Sequence, residues 1–121
     1  MVIVDTSVWV SHLRRGNPAL EKLLLDAEVV CPPFVVAELA CGNIKDRTEV
    51  LSLLQALPMV PIVTQAELLH FVDSHKLMGT GLGFVDVHLL ASSRLSGIRL
   101  WTDDRKLKEA ARKLNLLHAW P

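Results

Sequence analysis

Short apolar runs alternate with longer stretches of helical periodicity along this chain. The runs are rich in β-branched residues, as the buried strands of parallel sheets are. They predict strands at residues 2–4, 28–30, 60–63 and 98–101, with 116–120 as an edge candidate. Between them, leucines and alanines recur at the three- and four-residue spacing of amphipathic helices. These stretches predict helices at residues 7–13, 19–25, 33–42, 46–57, 64–78 and 84–95, and a last helix around Leu107–Leu114.

The ends of these helices carry the residues expected of them. Asp46 is the predicted N-cap of the fourth helix, and Pro58 follows its end. Thr64 and Glu67 have the spacing of a capping box at the start of the fifth helix. Strands that alternate with helices indicate a parallel sheet covered on both faces, connected by right-handed crossovers. We therefore expect residues 1–121 to form a single domain, a three-layer α/β/α fold with a mostly parallel sheet of about four to five strands.

Composition narrows the classes of protein that the chain can belong to. The formal net charge is zero, which argues against nonspecific coating of nucleic acid, although basic residues outnumber acidic ones from Arg94 onward. Prolines and charges interrupt every apolar run before it reaches membrane-spanning length, and no secretory signal precedes the first strand. A cytoplasmic protein is expected. Cys31 and Cys41 match no zinc or redox spacing and are expected to be free, buried thiols.

Acidic residues follow the carboxyl ends of two predicted strands, where parallel sheets bind ligands. Asp5 directly follows the first strand, and Asp103 with Asp104 follows the strand at 98–101. In open α/β sheets, ligands bind outside the carboxyl ends of the strands. Asp5 alone is equally typical of a helix N-cap. Glu38 and Asp86 lie in apolar helical stretches with no Lys or Arg close in sequence, and a carboxylate buried there is costly without a partner.

If these acids converge, their charges require compensation. Two carboxylates about 4 Å apart repel by roughly 4 kcal/mol at an effective dielectric constant near 20. Oxygen-only ligands suit Mg²⁺ or Mn²⁺, whereas zinc is a poor fit because no His or Cys pair has its spacing. A divalent cation on such a cluster is typical of phosphodiester hydrolysis. The three other acids favour the ligand interpretation of Asp5 over the cap.

Four motifs, in this order and at this spacing, resemble the PIN domain: MVIVDTSVW, VVAELACG, GFVDVHLLASS and LWTDDRKL. Within that family the chain is most similar to the VapC-type toxins of bacterial and archaeal toxin–antitoxin pairs. The resemblance covers essentially the whole chain. It implies a metal-dependent endoribonuclease that uses Mg²⁺ or Mn²⁺, is blocked by a small cognate antitoxin protein and forms a homodimer. One metal or two, and the RNA that is cut, stay open.

The resemblance also assigns residues. It implies four acidic positions that are catalytic and bind metal: Asp5, Glu38, Asp86 and Asp104. Thr102 matches the family's hydroxyl position, and Thr6 with Ser7 matches its small polar pair. The T-x-D-x-x-L pattern selects Asp104 as the fourth acid, with Asp103 as a supporting neighbour and the alternative ligand.

Two other functions fit part of the pattern. A phospho-acceptor receiver domain has a similar length and also binds Mg²⁺ at strand ends. It requires an adjacent acid pair after its first strand, whereas Asp5 is followed by Thr6 and Ser7. The second alternative is a PIN domain without catalytic activity that acts only as a binding module, which the presence of all four acids disfavours.

Overall fold

A small parallel sheet lies at the centre of the fold. The computed structural model describes residues 1–119 of the chain. Within them, β1 (Val2–Val4) pairs on one side with β2 (Val29–Val30) and on the other with β3 (Arg99–Trp101). Both pairs are parallel. The first apolar run of the sequence is therefore the central strand.

The register of β1 and β3 determines what leaves the sheet at its carboxyl edge. Ile3 pairs with Leu100 and Val4 with Trp101. The backbone N–H of Asp5 donates to the carbonyl of Trp101 at 2.9 Å, which continues the ladder by one residue. Asp5 and Thr102 are the next residues on the two strands, so they emerge side by side at the same edge.

Seven helices lie within residues 1–119, and the sheet and helices share one apolar core. α3 packs against α1 and α4, while α6 packs against α5 and β3. Leu20, Leu89, Leu100 and Leu107 are fully buried. The helices are α1 (Thr6–Arg15), α2 (Pro18–Leu25), α3 (Pro33–Ala40), α4 (Arg47–Gln55), α5 (Gln65–His75), α6 (Phe84–Ser96) and α7 (Arg105–Lys113).

The predicted fold class is confirmed, but the sheet is smaller than predicted. Residues 60–63 form no strand. Pro61 has no N–H to donate to a ladder, and Ile62 is 76% exposed, so this segment is a connection between α4 and α5. Val63 is buried in the core, and Val60 packs against it partly buried. The apolar run was too short to distinguish a strand from a buried connection.

The predicted edge strand is reduced to a single bridge. Leu117 forms an isolated parallel bridge with Leu100. The N–H of Leu100 donates to the carbonyl of Leu116 at 2.8 Å, and the N–H of His118 donates to the carbonyl of Leu100 at 2.7 Å. The chain thus adds a short ladder beside β3. The last predicted residue of this strand, at position 120, lies outside the described residues.

Two local predictions are wrong. Asp46 precedes α4 with a φ of 54° and makes no side-chain cap, because a left-handed backbone does not direct its carboxylate to the free N–H groups. Cys41 is exposed beyond the end of α3, although Cys31 is buried as expected. Burial raises the pKa of the Cys31 thiol to about 12, so this thiol is unreactive at neutral pH.

No helix within residues 1–119 has the length and apolar character needed to cross a membrane.

Candidate active site

Asp5 is a buried carboxylate at the carboxyl end of the central strand. Its side chain is only 5% exposed. Oδ2 accepts a hydrogen bond from Ser7 Oγ at 2.7 Å and one from Thr102 Oγ1 at 2.8 Å. Asp5 occupies the N-cap position of α1, yet its side chain makes no capping hydrogen bond. Its carboxylate is therefore not used to stabilise the helix.

The two hydroxyls that hold Asp5 are held in turn by the backbone after β3. The N–H of Asp103 donates to Ser7 Oγ, and the N–H of Asp104 donates to Thr102 Oγ1, both at 3.0 Å. Each hydroxyl accepts from a backbone N–H and donates to the same carboxylate oxygen. This hydroxyl relay fixes the end of β1 relative to the end of β3.

Glu38 reaches the same edge from α3. Thr6 Oγ1, in the first turn of α1, donates a hydrogen bond to Glu38 Oε1. The side chain is exposed, so the expectation of a carboxylate buried in an apolar helix is wrong for Glu38. The buried face of α3 is formed by Val35, Val36 and Leu39, which leaves Glu38 at the surface of the site.

Asp86 lies at the same edge, on the helix that precedes β3. α6 leads into the start of β3, so its first turn lies at the carboxyl ends of the strands. Asp86 is half-buried in that turn, and its Oδ2 accepts from the N–H of Gly83 at 3.0 Å. Asp86 is the third residue of the helix and bonds backward, so it is not the N-cap.

Asp104 and Asp103 differ in what their side chains do. Asp104 Oδ1 accepts from the N–H of Leu107 at 2.9 Å and caps α7. The side chain of Asp103 is exposed and makes no hydrogen bond to the rest of residues 1–119. Asp103 contributes its backbone N–H to the relay instead.

The charges of the four acids act on one another. Burial raises the pKa of Asp86, the hydrogen bond from Gly83 opposes that rise, and the negative charges of Asp5, Asp104 and Glu38 add to it. Asp103 is not among these causes. The four acids selected from the sequence therefore lie close enough together for the other three to raise the pKa of Asp86.

The donor set fits a hard divalent cation better than zinc. All of its candidate ligands are carboxylate oxygens, the type that Mg²⁺ and Mn²⁺ prefer. Within residues 1–119, no three His, Cys, Asp or Glu side chains lie close enough together to hold a metal as they stand. Each carboxylate is instead held by its own hydroxyl or N–H donor. Mg²⁺ usually retains several waters and needs only one or two protein carboxylates, so this spacing is compatible with it.

His88 lies outside the acid cluster. Its ring lies between two phenylalanines, with centroids 5.3 Å from Phe34 and 4.5 Å from Phe84. Burial lowers the pKa of His88, which favours the neutral ring. Among the described residues it has an aromatic packing role.

Comparison with known proteins identifies the family. The profile of the PIN domain matches residues 2–113. The chain belongs to the PIN domain family. Ribonuclease VapC32 is 50% identical to it over 111 residues in each of two Mycobacterium tuberculosis strains, CDC 1551 / Oshkosh and H37Rv, and the alignment covers 91% of this chain and 90% of the relative.

Solved structures agree with this PIN fold. PAE2754 from Pyrobaculum aerophilum superposes with a TM-score of 0.65 at 16% identity, over 89% of this chain and 82% of that one. A chain of FitAB bound to an IR36 DNA fragment superposes with a TM-score of 0.63 at 19% identity, over 93% and 91%. The resemblance to PIN-domain ribonucleases of the VapC type is thus confirmed, and the receiver-domain alternative is wrong.

Sequence reasoning missed the backbone groups of this site. The N–H groups of Gly83, Asp103 and Asp104 each bind a side chain at the acidic edge. Their role depends on local backbone direction, which residue types do not encode. The glycine loop before α6 (residues 79–83) was the available clue, because Gly83 precedes Asp86 by three residues, the spacing at which a first-turn acid bonds back to the N-cap N–H.

The raised pKa of Asp86 predicts how stability depends on pH. The folded chain binds this proton more tightly than the unfolded chain, so stability falls as pH rises from the usual Asp range through the raised pKa. Without divalent cations, Asp86→Asn should therefore raise the free energy of unfolding at neutral pH, and the gain should shrink at acidic pH. Urea unfolding at both pH values measures this difference. Asp103→Asn is the control and should give a smaller change. An equal gain at both pH values would contradict the electrostatic origin.

Proposed function

We propose that this chain is a metal-dependent endoribonuclease that hydrolyses RNA phosphodiester bonds and acts as the toxin of a type II toxin–antitoxin pair. The observation that carries the proposal is that Thr6 and Thr102 tie Glu38, Asp5 and Asp104 to one edge of the sheet, where the first turn of α6 also places Asp86. Membership in the PIN family and the similarity to Ribonuclease VapC32 support RNA as the substrate. We further propose that residues 1–121 form a single domain.

Asp5, Glu38, Asp86 and Asp104 are the proposed ligands of Mg²⁺ or Mn²⁺. When bound, such a cation supplies Lewis-acid stabilisation of the charge that develops on the phosphate. The hydroxyl relay supports Asp5 in this role, because Ser7 and Thr102 both donate to Oδ2 and leave Oδ1 for the cation. Thr6 holds Glu38 in the same manner. The site is thus pre-organised by residues that do not themselves bind the phosphate.

The charge on Asp86 supports a role for the cation. Burial and the negative charges of Asp5, Asp104 and Glu38 raise the pKa of its carboxyl, although the hydrogen bond from Gly83 opposes the rise. A divalent cation held by the four acids would favour the ionised form instead. Oδ2 of Asp86 already accepts from the N–H of Gly83, which leaves Oδ1 for the cation.

The proposed partners follow from the same site. A small antitoxin protein that blocks the four acids, through a basic side chain, would inhibit the enzyme by neutralising and covering them. A homodimer and a cytoplasmic location complete the proposal. The name of Ribonuclease VapC32 supports the toxin role, since VapC denotes the toxin of such pairs.

Loss of one central carboxylate should abolish RNA cleavage. Purified protein should cut single-stranded or looped RNA with Mg²⁺ or Mn²⁺, and EDTA should stop it. Asp5→Asn and Asp104→Asn should each reduce the rate by at least about a hundredfold, because removing one group that stabilises charge or moves a proton costs about that factor or more. Denaturing gels of an end-labelled RNA measure the rate. Asp103→Asn is the matched control and should cut normally.

Wild-type activity in the Asp5→Asn protein, freed of contaminating nuclease, would disprove the assignment of Asp5. Loss of cleavage in Asp103→Asn with cleavage retained in Asp104→Asn would transfer the fourth position to Asp103. No cleavage by the wild type with either cation would favour the alternative of a PIN domain that acts only as a binding module.

The toxin role predicts an effect on cells that the enzyme assay does not address. Induced expression without its antitoxin should arrest growth, and Asp5→Asn expressed to the same level should not. Optical density and colony counts after induction measure this. Normal growth of cells that contain active enzyme would remove the toxin role and leave the nuclease proposal unchanged.

A further inference from the structure

A cavity of about 500 Å³ lies beside the acidic edge, between α7 and the segment 75–82, which begins at the last residue of α5. Leu77, Leu82 and Ala110 form part of its lining. Its polar lining is mostly basic. We refer to this cavity as the basic groove, defined by its four cationic residues: Lys76, Arg105, Lys106 and Lys113.

The charge of the basic groove is not balanced by acids. Glu109 is the one carboxylate that the described part of the chain contributes to its lining, and Arg112 already pairs with it at 2.8 Å. Within residues 1–119, none of the four groove cations forms an ion pair. All four are exposed. The groove therefore concentrates positive charge on one part of a chain whose formal net charge is zero.

The basic groove adjoins the four acids. Arg105 and Lys106 directly follow Asp104 at the start of α7. A Cβ placed on Gly81 would lie 3.1 Å from Lys106 Nζ, so this ammonium group rests against the backbone of the glycine loop. Two residues further on, the N–H of Gly83 holds Asp86. The same loop thus contacts a groove cation and one of the site acids.

Helix stability does not account for the two cations at the start of α7. The positive end of a helix dipole disfavours cations. The first turn of α7 carries no acid, and the carboxylate of Asp104 before it is used to cap the helix. Arg112 and Lys113, in the last turn, occupy the end that favours positive charge. Arg105 and Lys106 are therefore placed where a cation weakens the helix and where an anion beside the acidic site would be attracted.

We propose that the basic groove binds the phosphate backbone of the RNA strand on one side of the bond that is cut. This inference rests on the proposed ribonuclease function. RNA carries a negative charge at every phosphate, and four carboxylates repel it, so binding requires nearby cations. Lys106 and Lys113 are two turns apart on α7, about 10 Å along its axis, which is enough for more than one phosphate.

The groove is suited to phosphates rather than to bases. Among residues 1–119, the one aromatic ring in its lining is His75, which already packs against Phe71 with centroids 4.6 Å apart. Stacking platforms for single-stranded nucleic acid need open aromatic faces. The contacts of the groove should therefore be independent of sequence, and they should set the affinity for RNA without choosing the cleavage site.

Binding can be tested without cleavage. A short fluorescent single-stranded RNA is titrated with the full chain in EDTA, and anisotropy is followed across a range of KCl concentrations. Lys106→Gln/Lys113→Gln should weaken binding by roughly tenfold and reduce the slope of log K against log salt by about 1.4, the value for two phosphate contacts on a single strand. The control, Arg14→Gln/Arg15→Gln, removes two exposed charges from the far end of α1 and should change neither quantity.

Cleavage and stability measurements separate this role from a structural one. With Mg²⁺, the groove variant should lose about tenfold in kcat/KM on a long RNA through KM, cut at the same positions, and lose less on a dinucleotide, which spans less of the groove. Its melting temperature should stay close to that of the wild type, because removing Lys106 from the first turn of α7 and Lys113 from the last turn have opposite effects on helix stability. If the wild type binds and cuts RNA but the groove variant loses no more affinity than the control, the groove inference is wrong and the ribonuclease proposal stands. If the wild type neither binds nor cuts RNA, both are wrong.

Discussion

The charge of Asp5 must be stabilised at a place where water does not reach it freely, and the site is built around that requirement. The parallel register of β1 and β3 brings Thr102 beside Asp5, and α1 brings Ser7 back over it. A hydrogen bond to a charged group contributes about 1.5–3 kcal/mol, so two hydroxyl donors offset a substantial part of the cost of burial. Because both hydroxyls also accept backbone N–H groups after β3, the position of Asp104 is tied to that of Asp5.

The remaining acids are positioned by the same topology. Parallel strands are connected by helical crossovers. Each crossover leaves the sheet at its carboxyl edge. Glu38 lies on the helix that follows β2, and Asp86 on the helix that precedes β3. Three unrelated segments thus place negative charge around one buried carboxylate. The repulsion among them is a strain that the fold retains, and a bound cation would relieve it.

Much of this arrangement follows from sequence, because the strongest patterns are local. The apolar run of β1 and the acid behind it, the capping box at Thr64 and Glu67, and the T-x-D spacing that selects Asp104 over Asp103 all depend on neighbours within a few residues. The predictions that were wrong concern positions whose structure depends on contacts between residues far apart in sequence. Residues 60–63 have the composition of a strand but find no partner, and Glu38 sits in an apolar run yet faces outward because three other residues of α3 fill the core. The sequence showed the excess of basic residues after Arg94 but not the groove, since Lys76 and Lys113 line the same cavity although they are far apart in sequence.

Direct measurement of cation binding tests the central claim, that the four acids form one site whose charge a divalent cation balances. Calorimetric titration with Mn²⁺ should show saturable binding to the wild type, and Asp5→Asn should weaken it by at least about tenfold, since loss of a single carboxylate–cation interaction is worth more than 1.4 kcal/mol. Asp103→Asn should bind like the wild type. Equal Mn²⁺ affinity in the wild type and Asp5→Asn, or no binding to the wild type, would contradict the account.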